Sequence, residues 1–277
     1  MSPLAFTLAV FGIAVGAGLL GSLLGLGGGI IVVPALVLLL HVNIRFAIGA
    51  SIVSVIATSS GAAAAYVREG MTNLRVAMFL ELGTTTGALS GAYLGGVVPI
   101  RLLYLVFGVM MSYSALAMFR KRHSDLALAV PGDPLADRLR LHGSYHDDAL
   151  GRDIDYRVTG ARTGLGLMYV AGVVSGLLGI GSGALKVPAM DLAMRLPIKV
   201  STATSNFMIG VTAAASAGVY FARGDIDPFV AGPVATGVLI GAVGGSRLLG
   251  RLHSSLIRTV FVIVLLWVSL EMLLKGL

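Results

Sequence analysis

The sequence has no cysteine and few charged residues. Only 12% of its 277 residues are Asp, Glu, Lys or Arg, about half the share of about 25% in a typical soluble domain. The absence of cysteine excludes disulfides, haem thioether links and zinc-thiolate sites. The shortage of charge, together with a hydrophobic share of 56%, argues against a soluble fold and predicts a helical protein that spans a membrane several times.

The sequence also lacks the motifs of several enzyme and binding classes. It contains no nucleotide-binding motif and no His-Glu-x-x-His motif, so we expect neither an ATPase nor another enzyme. Its net charge of +7 comes from basic residues in short loops beside apolar segments, as the positive-inside rule describes, and we expect no nucleic-acid partner. No cofactor or metal is expected. His142 and His146 are interpreted as surface residues because no third ligand follows at a suitable spacing.

Two glycine-rich breaks interrupt the apolar sequence. Gly-Leu-Gly-Gly-Gly begins at Gly25 and Gly-Ile-Gly-Ser-Gly begins at Gly179, 154 positions later, and a Val-Pro pair follows each break, ending at Pro34 and Pro188. The same offset aligns the two halves without a gap and predicts an internal duplication. Further matches are Ser51 with Ser205, Thr58 with Thr212, Tyr66 with Tyr220, Gly70 with Gly224, Gly83 with Gly237, Gly87 with Gly241 and Gly91 with Gly245.

Each half divides into five apolar segments, which predicts an all-α fold with about ten membrane segments. The segments cover about 3–24, 30–42, 46–67, 74–97 and 101–119, and then 163–180, 184–195, 200–222, 229–249 and 256–275. The second segment of each half is short: a helix of about 12 residues rises only about 18 Å, less than the bilayer core of about 30 Å. We expect it to be tilted, continued by loop or re-entrant. The first segment is interpreted as a permanent span and not a signal peptide, because no basic residue precedes it.

Charge predicts the orientation. We divide the chain into a first membrane repeat at 1–120, a linker at 121–161 with a possible small β-hairpin, and a second repeat at 162–277. If the linker is cytoplasmic, most of the 20 Lys and Arg residues lie on the cytoplasmic side. The basic residues left outside are Arg45, Arg101, Arg223 and Lys275. Both termini are then outside, and the two halves have inverted topology. Inverted repeats with broken helices indicate an alternating-access transporter whose site lies where the repeats meet.

The membrane portion resembles a known family. The stretch from Gly18 to Ser54 and its second copy from Gly172 to Met208 resemble the TauE/SafE family of sulfite-exporter-like membrane proteins. The resemblance rests on the two glycine motifs, the two Val-Pro pairs and the Ser-Thr-Ala-Thr-Ser-Asn run at 201–206. It implies transport of small sulfur-containing anions, such as sulfite, sulfoacetate or related sulfonates, across a bacterial-type cytoplasmic membrane, coupled to an ion gradient.

The two copies differ where polar groups matter. The first copy has aliphatic residues where the second has polar ones: Val32 for Lys186, Val37 for Asp191 and Ile52 for Asn206. We therefore expect an asymmetric site in which the second half supplies most of the polarity.

Candidate substrate-binding residues lie in the breaks and in the segments that follow them. Glycine lets backbone approach a ligand, and the free amides at the start of a helix favour an anion. The alternative is that the glycines and hydroxyl side chains serve only close helix packing. The candidates are Gly27, Gly28, Gly29, Ser51, Gly181, Ser182, Gly183, Lys186, Thr204, Ser205 and Asn206.

Lys186 is the strongest single candidate for a residue that binds the substrate or lies on an ion path. A lysine at the centre of a bilayer costs at least about 2.5 kcal/mol, so it attracts the substrate, compensates Asp191, Glu81 or another acid, or reaches an interface by snorkelling. Glu81 and Asp191 are candidates for coupling to protons, or structural partners of Lys186. The sequence thus favours a secondary transporter with a small anion and the lipid bilayer as partners. The alternatives are a carrier of another anion or organic acid, an anion channel and, less favoured, a membrane enzyme.

Overall fold

The computed structural model describes residues 2–24, 27–120, 132–148, 150–249 and 254–277. Gly25 of the first break and residues 121–131 of the linker lie outside the described residues. The helices are α1 (Pro3–Leu24), α2 (Gly29–Leu39), α3 (Ile44–Arg68), α4 (Leu74–Gly95), α5 (Ile100–Arg120), α6 (Pro134–Arg138), α7 (Ala161–Leu178), α8 (Gly183–Pro188), a π-helical segment (Ala189–Ala193), α9 (Ile198–Ala222), α10 (Pro228–Leu249) and α11 (Ser254–Gly276). The strands are β1 (Gly143–Asp147) and β2 (Arg152–Tyr156).

Several helices suit a membrane. Within the described residues, four helices are long and apolar enough to cross one, and they cover 3–23, 44–68, 161–178 and 228–248. Gly29–Leu39 and Ile100–Tyr113 are shorter apolar helices. These elements agree with the predicted all-α membrane fold, while the number of about ten membrane segments stays a prediction.

The helix pairs follow the 154-residue offset of the sequence. α1 packs along α10, and α4 packs along α7. Gly87 on α4 lies against the carbonyl of Tyr169 on α7, and Gly241 on α10 lies against the carbonyl of Val15 on α1. A methyl group at either glycine would collide with that backbone, so the missing side chain sets the distance between the helices. Each contact therefore occurs twice, with its partners exchanged between the halves.

Both of these helix pairs are parallel. The order of contacts is the same along the two helices of each pair. On α10, Gly237, Gly241 and Gly245 lie against the carbonyls of Phe11, Val15 and Leu19; on α4, Gly83, Gly87 and Gly91 lie against those of Leu165, Tyr169 and Val173. α1 thus runs in the direction of α10, and α4 in the direction of α7.

The long helices α3 and α9 pack against each other between these pairs. Tyr66 on α3 donates a hydrogen bond to the carbonyl of Ser22 at 3.0 Å, and Tyr220 on α9 donates one to the carbonyl of Gly176 at 2.6 Å. Both tyrosines are buried. The two donors are 154 positions apart in the sequence, and so are the two acceptors. Each central helix is thereby fixed to the last turn of the first helix of its own half.

The described part of the linker forms a small cap. β1 and β2 pair antiparallel, with His146 opposite Asp153, so a hairpin lies within the predicted linker. Tyr145 and Tyr156 pack into an apolar cluster with residues near the starts of α4, α7 and α9 and with the π-helical segment. Four methionines fill much of this cluster: Met168, Met190, Met194 and Met208. The hairpin therefore covers the end of the bundle at which α4, α7 and α9 begin.

Candidate functional site

The two glycine breaks meet at the centre of the bundle. Gly27 and Gly181 share a left-handed backbone with φ of 76°, and both lie against the side chains of Val55 on α3 and Ile209 on α9. Val55 and Ile209 are themselves 154 positions apart. A side chain on Gly27 would be strained by that φ and would press on Ile209. The breaks therefore bring the two halves together around one pair of aliphatic side chains.

The space beside the breaks is filled by protein. A methyl group on Gly29 would collide with Ser51 Oγ and press on Val55. Ser51 Oγ in turn donates a hydrogen bond to the carbonyl of Gly179 at 2.8 Å, which ties α3 to the second break. The glycines of the breaks thus pack closely against side chains of α3 and α9, as the packing alternative for these glycines predicts. The side chains of Val55 on α3 and Ile209 on α9 therefore occupy the space beside the break backbone.

Lys186 lies on α8 directly after the second break, and its side chain is fully buried. Its Nζ donates a hydrogen bond to Thr212 Oγ1 at 2.6 Å, and Thr212 Oγ1 donates one to Glu81 Oε1 at 2.7 Å. Lys186 Nζ is 3.9 Å from Glu81 Oε2. Of the acids that the sequence offered as partners, the structure places Glu81 beside Lys186 and connects the two through Thr212.

Glu81 is held by two threonines and retains an open oxygen. Thr85, one turn further along α4, donates to Glu81 Oε1 at 2.9 Å. Within the described residues, Glu81 Oε2 is buried without a hydrogen-bond partner, and the side chain as a whole is 14% exposed. Because removing one member of a buried ion pair leaves the other charge uncompensated, a change in the charge of Lys186 or of Glu81 affects both residues.

Two further predicted residues have unsatisfied polar atoms. In the described part of the chain, Ser182 Oγ and Asn206 Oδ1 are buried and have no hydrogen-bond partner. Ser182 caps α8 with a left-handed φ of 54° and precedes Lys186 by one helical turn. Asn206 Nδ2 donates to the carbonyl of Ser22 at 2.8 Å. Buried polar atoms without partners are rare and each calls for an explanation; a hydrogen-bonding ligand would supply their partners.

The remaining predicted residues lie after the second break, on α9, and near the linker. Asp191 is buried in the π-helical segment that follows Pro188, and such segments are frequent at functional sites. Ser205 is buried on α9. Thr204 accepts a hydrogen bond from the backbone of Asn73 at 3.1 Å, and Asn73 binds the linker through the Leu141 carbonyl. Thr204 therefore lies on the side of α9 that faces the linker.

Sequence reasoning missed Thr212, Val55 and Ile209 as site residues. Thr212 was visible only as the repeat partner of Thr58. Its role depends on the packing of α4 against α9, which brings Glu81 to it. Val55 and Ile209 are ordinary aliphatic residues in apolar helices, and only their contact with both breaks distinguishes them.

A second ion pair joins the hairpin to the membrane helices. Lys199, the second residue of α9, is 1% exposed and donates to Asp147 Oδ1 at 2.8 Å. Asp147 also accepts from Tyr145 Oη at 3.2 Å and from the backbone of Leu150 at 3.2 Å. Burial raises the pKa of Asp147, but the hydrogen bond and charge of Lys199, with the hydrogen bonds from Tyr145 and Leu150, outweigh it, and the net pKa lies below the usual aspartate value.

The chain is similar to curated membrane proteins over almost its whole length. It is 28% identical over 268 residues to "Probable membrane transporter protein YunE" of Bacillus subtilis, covering 94% of both chains. It is 29% identical over 266 residues to a "Probable membrane transporter protein" of Xylella fastidiosa, covering 94% of this chain and 93% of the relative. "Probable membrane transporter protein YdhB" of Bacillus subtilis is 25% identical over 231 residues. No solved structure matches the chain.

One family model accounts for the membrane portion. The model described as "Sulfite exporter TauE/SafE" matches residues 10–272, which includes both glycine breaks, Lys186 and Glu81. Together with the apolar helices, the match identifies an integral membrane protein. The chain belongs to the TauE/SafE sulfite exporter family.

Proposed function

We propose that the protein is a secondary transporter that moves a small sulfur-containing anion, such as sulfite, sulfoacetate or a related organosulfonate, by alternating access. The family and the printed names of the relatives support transport. The observation that carries the proposal for an anion is Lys186, a fully buried cation next to a glycine break in an apolar bundle. Intramembrane ionisable residues of this kind mark ion and substrate paths.

Alternating access requires two halves that exchange roles, and the helix packing supports inverted repeats. Under the 154-residue offset, α1 corresponds to α7 and α4 to α10. The first and fourth segments of one half cross the membrane in opposite directions in the predicted topology. If the second half is inverted, its fourth segment runs parallel to the first segment of the other half. The parallel pairs of α1 with α10 and of α4 with α7 support this arrangement, and the distribution of Lys and Arg favours a cytoplasmic linker with both termini outside.

The proposed substrate site lies between the second break and α9. Ser182 Oγ has no hydrogen-bond partner among the residues that the structure describes and can donate to an oxyanion, while Lys186 supplies the positive charge. The backbone of Gly181 and Gly183, with Ser51 on α3, borders the site. Access requires α3 and α9 to separate at Val55 and Ile209, because these side chains fill the space beside the breaks. The first break, at Gly27–Gly29, serves as the opposing and less polar wall.

The pairing of Lys186 with Glu81 supports coupling to protons. While Glu81 is ionised, its charge already compensates Lys186, so an anion gains little from binding there. When Glu81 takes up a proton, the charge of Lys186 becomes available to the anion. One proton and one anionic charge then bind together, and the site stays near neutral in the low-dielectric interior. Asp191, buried in the π-helical segment, is a second candidate for the coupling acid.

Flux into proteoliposomes tests the proposal. The purified protein is reconstituted, and uptake of sulfite, thiosulfate, sulfoacetate, taurine and sulfate is measured with and without a proton gradient. We expect saturable uptake of at least one sulfur oxyanion that a proton gradient accelerates. Uptake that rises linearly without saturation would indicate a channel. If none of these compounds is transported or bound, the proposed substrate class is wrong.

A further inference from the structure

We infer that the cleft at the end of the bundle where α3 begins and α9 ends is an entry site for a small oxyanion, in which Arg45 binds the ligand beside the fixed guanidinium of Arg223. The predicted topology puts this end outside the cytoplasm. The inference rests on the proposed anion transport, since the cleft adjoins the second glycine break. It gives a role to two arginines that lie outside the breaks and outside the Lys186–Glu81 pair.

The cleft carries a net positive charge. Arg45 is the second residue of α3, Arg223 and Asp225 follow the end of α9, and all three line the cleft. Two guanidinium groups therefore face one carboxylate. The other carboxylate of this loop, Asp227, accepts a hydrogen bond from the Phe229 amide at the start of α10 at 2.9 Å and is not among the residues that line the cleft.

Arg223 is held in place by three contacts. Its Nε donates to Asp225 Oδ2 at 2.9 Å, and its Nη1 donates to the carbonyl of Ala92 at 2.9 Å. The guanidinium also lies over the ring of Tyr220, 4.3 Å from the ring centre. Its Nη2 makes no hydrogen bond to a described residue, so a positioned donor is left for a ligand. Glu69 precedes Arg223 by 154 positions, so the duplication does not account for this cation.

Arg45 is the uncompensated cation of the cleft. Its side chain is exposed, and among the described residues its guanidinium has no hydrogen-bond or ion-pair partner. A cation in the first turn of a helix opposes the helix dipole, whereas an anion there is favoured. An oxyanion beside Arg45 is therefore attracted by the side chain and by the start of α3 together. Guanidinium donates paired hydrogen bonds to the oxygens of carboxylates and phosphates, and sulfite and sulfonate groups present similar oxygens.

One turn of α3 separates the cleft from the second break. Ile48 lines the cleft, and a methyl group on Gly179 would collide with Ile48 Cγ2, so the same side chain contacts the first residue of the break. Leu177, in the last turn of α7, also lines the cleft, and its carbonyl accepts a hydrogen bond from Tyr220 at 3.2 Å. An anion that moves from the cleft to the break therefore passes Ile48.

The absence of cysteine in the chain permits a test with one introduced thiol. Gly96→Cys is suitable because Gly96 lines the cleft and is exposed. Its backbone φ of −71° accepts a side chain, and a Cβ there would lie 3.1 Å from Arg223 Nη1. The protein in detergent is reacted with anionic sulfonatoethyl methanethiosulfonate and with its cationic trimethylammonium analogue. Each rate is divided by that of a free thiol, and we expect the anionic reagent to be favoured.

Three variants of the Gly96→Cys protein assign this preference. Arg45→Gln should lower the ratio of anionic to cationic labelling about fivefold, because one nearby charge is lost across screened solvent. Arg45→Lys retains the charge and should retain the ratio. Lys275→Gln is the matched control: it removes a cation at the same end of the bundle but outside the cleft, and should leave the ratio unchanged. The midpoint of thermal unfolding should be the same in all of them, since Arg45 is exposed.

Protection from labelling tests binding itself. Sulfoacetate is the probe, and sodium chloride at the same ionic strength is the reference. Sulfoacetate should slow anionic labelling saturably and more than chloride does. Arg45→Gln should raise the concentration for half-protection about fivefold. In proteoliposomes, the same substitution should raise the KM of a transported sulfur anion about fivefold and leave the maximal rate unchanged.

A labelling ratio that is unchanged in Arg45→Gln, or protection that chloride reproduces at equal ionic strength, would overturn the entry site. An equal fall of the ratio in Lys275→Gln would overturn it as well, because the charge of the whole end would then be responsible. Charge-selective labelling and protection in a protein that carries none of the sulfur anions would retain the entry site and reject the proposed transport. Saturable sulfite uptake with an unchanged KM in Arg45→Gln and no protection by sulfoacetate would reject the entry site and retain the proposed transport.

Discussion

The two glycine breaks have matching backbones and different chemistry. In the first half, Gly27–Gly29 leads into a helix with aliphatic side chains at positions 32 and 37. In the second half, the equivalent positions hold Lys186 and Asp191, both buried. The difference teaches that a duplicated framework can keep its packing while only one copy supplies polar groups. Both breaks contribute to packing, and under the proposed function only the second is followed by polar side chains that bind the substrate.

The polar network of the second break also reaches into the first half. Glu81 lies on α4 of the first half, yet it contacts Lys186 and Thr212 of the second. This contact depends on the packing of α4, a helix of the first half, against α7 and α9 of the second half. The ion pair therefore crosses the boundary between the halves. If the halves move relative to each other during transport, a contact at this place responds to the motion.

The largest expected effect comes from removing the cation. Lys186→Ala should lower anion uptake about 30-fold or more, since truncating one partner of a buried charge pair costs about 2–5 kcal/mol. Val32→Ala removes side-chain atoms at the equivalent buried position of the first half and serves as the matched control, with uptake expected near that of the parent. Proteoliposome flux measures both. Equal losses in the two variants would mean that the breaks are functionally alike.

Loss of folding has to be separated from loss of function in that comparison. Lys186→Ala leaves Glu81 partly buried without its cation, which destabilises the fold. The double variant Lys186→Met with Glu81→Gln removes both charges and should recover the midpoint of thermal unfolding in detergent without recovering uptake. Recovery of uptake in the double variant would show that Lys186 only compensates Glu81.

The next effect is on coupling. Glu81→Gln should retain exchange of the anion across the membrane when no proton gradient is applied. It should abolish accumulation of the anion against its gradient, because the carboxyl that takes up the proton is gone. In the parent protein, one proton per anion and a gradient of about one pH unit give about tenfold accumulation. Asp191→Asn is the parallel variant for the second candidate acid. Gradient-driven accumulation that persists in Glu81→Gln and disappears in Asp191→Asn would transfer the coupling role to Asp191.

The packing glycines should behave alike in both halves, in contrast to the breaks. Gly87→Ala and Gly241→Ala each place a methyl group against a carbonyl of the neighbouring helix and should destabilise the fold by about 1–3 kcal/mol. The matched controls are Gly12→Ala and Gly166→Ala, also 154 positions apart, where a methyl group meets nothing within 4 Å. These should be neutral or stabilising by up to about 1 kcal/mol. Thermal unfolding in detergent measures all four, and a large difference within either pair would argue against equivalent halves.

The sequence predicted local features better than contacts. The glycine breaks, the hairpin region and the short second segments are recognisable because they depend on neighbouring residues. The sequence alone offers Asp191, Glu81 or another acid as the partner of Lys186, since Glu81 is distant along the chain and only helix packing brings it close. The filling of the breaks by Val55 and Ile209 was equally inaccessible, because one aliphatic residue in an apolar helix looks like any other.

The smallest expected effect is the pH dependence of the stability of the hairpin, which belongs to the linker between the two halves. The cross-strand hydrogen bond with Asp153 raises the pKa of His146, and the charges of Asp153, Asp148 and Asp147 add to this against a smaller effect of desolvation. Because the folded-state pKa is raised, the contribution of His146 to hairpin stability is complete below about pH 6.5. It is lost as pH rises through the folded-state pKa.

Amide hydrogen exchange of β1 and β2, expressed as protection factors, checks this sign. Protection should fall modestly as the pH rises above about 6.5, and Asp153→Asn should flatten the change. The ion pair of Asp147 with Lys199 has the opposite dependence, because the pKa of Asp147 is lowered and its contribution is lost only as pH falls below the ordinary aspartate range. It therefore stays constant over the tested window. A loss of protection that is equally large in Asp153→Asn would assign the pH response to a group other than His146.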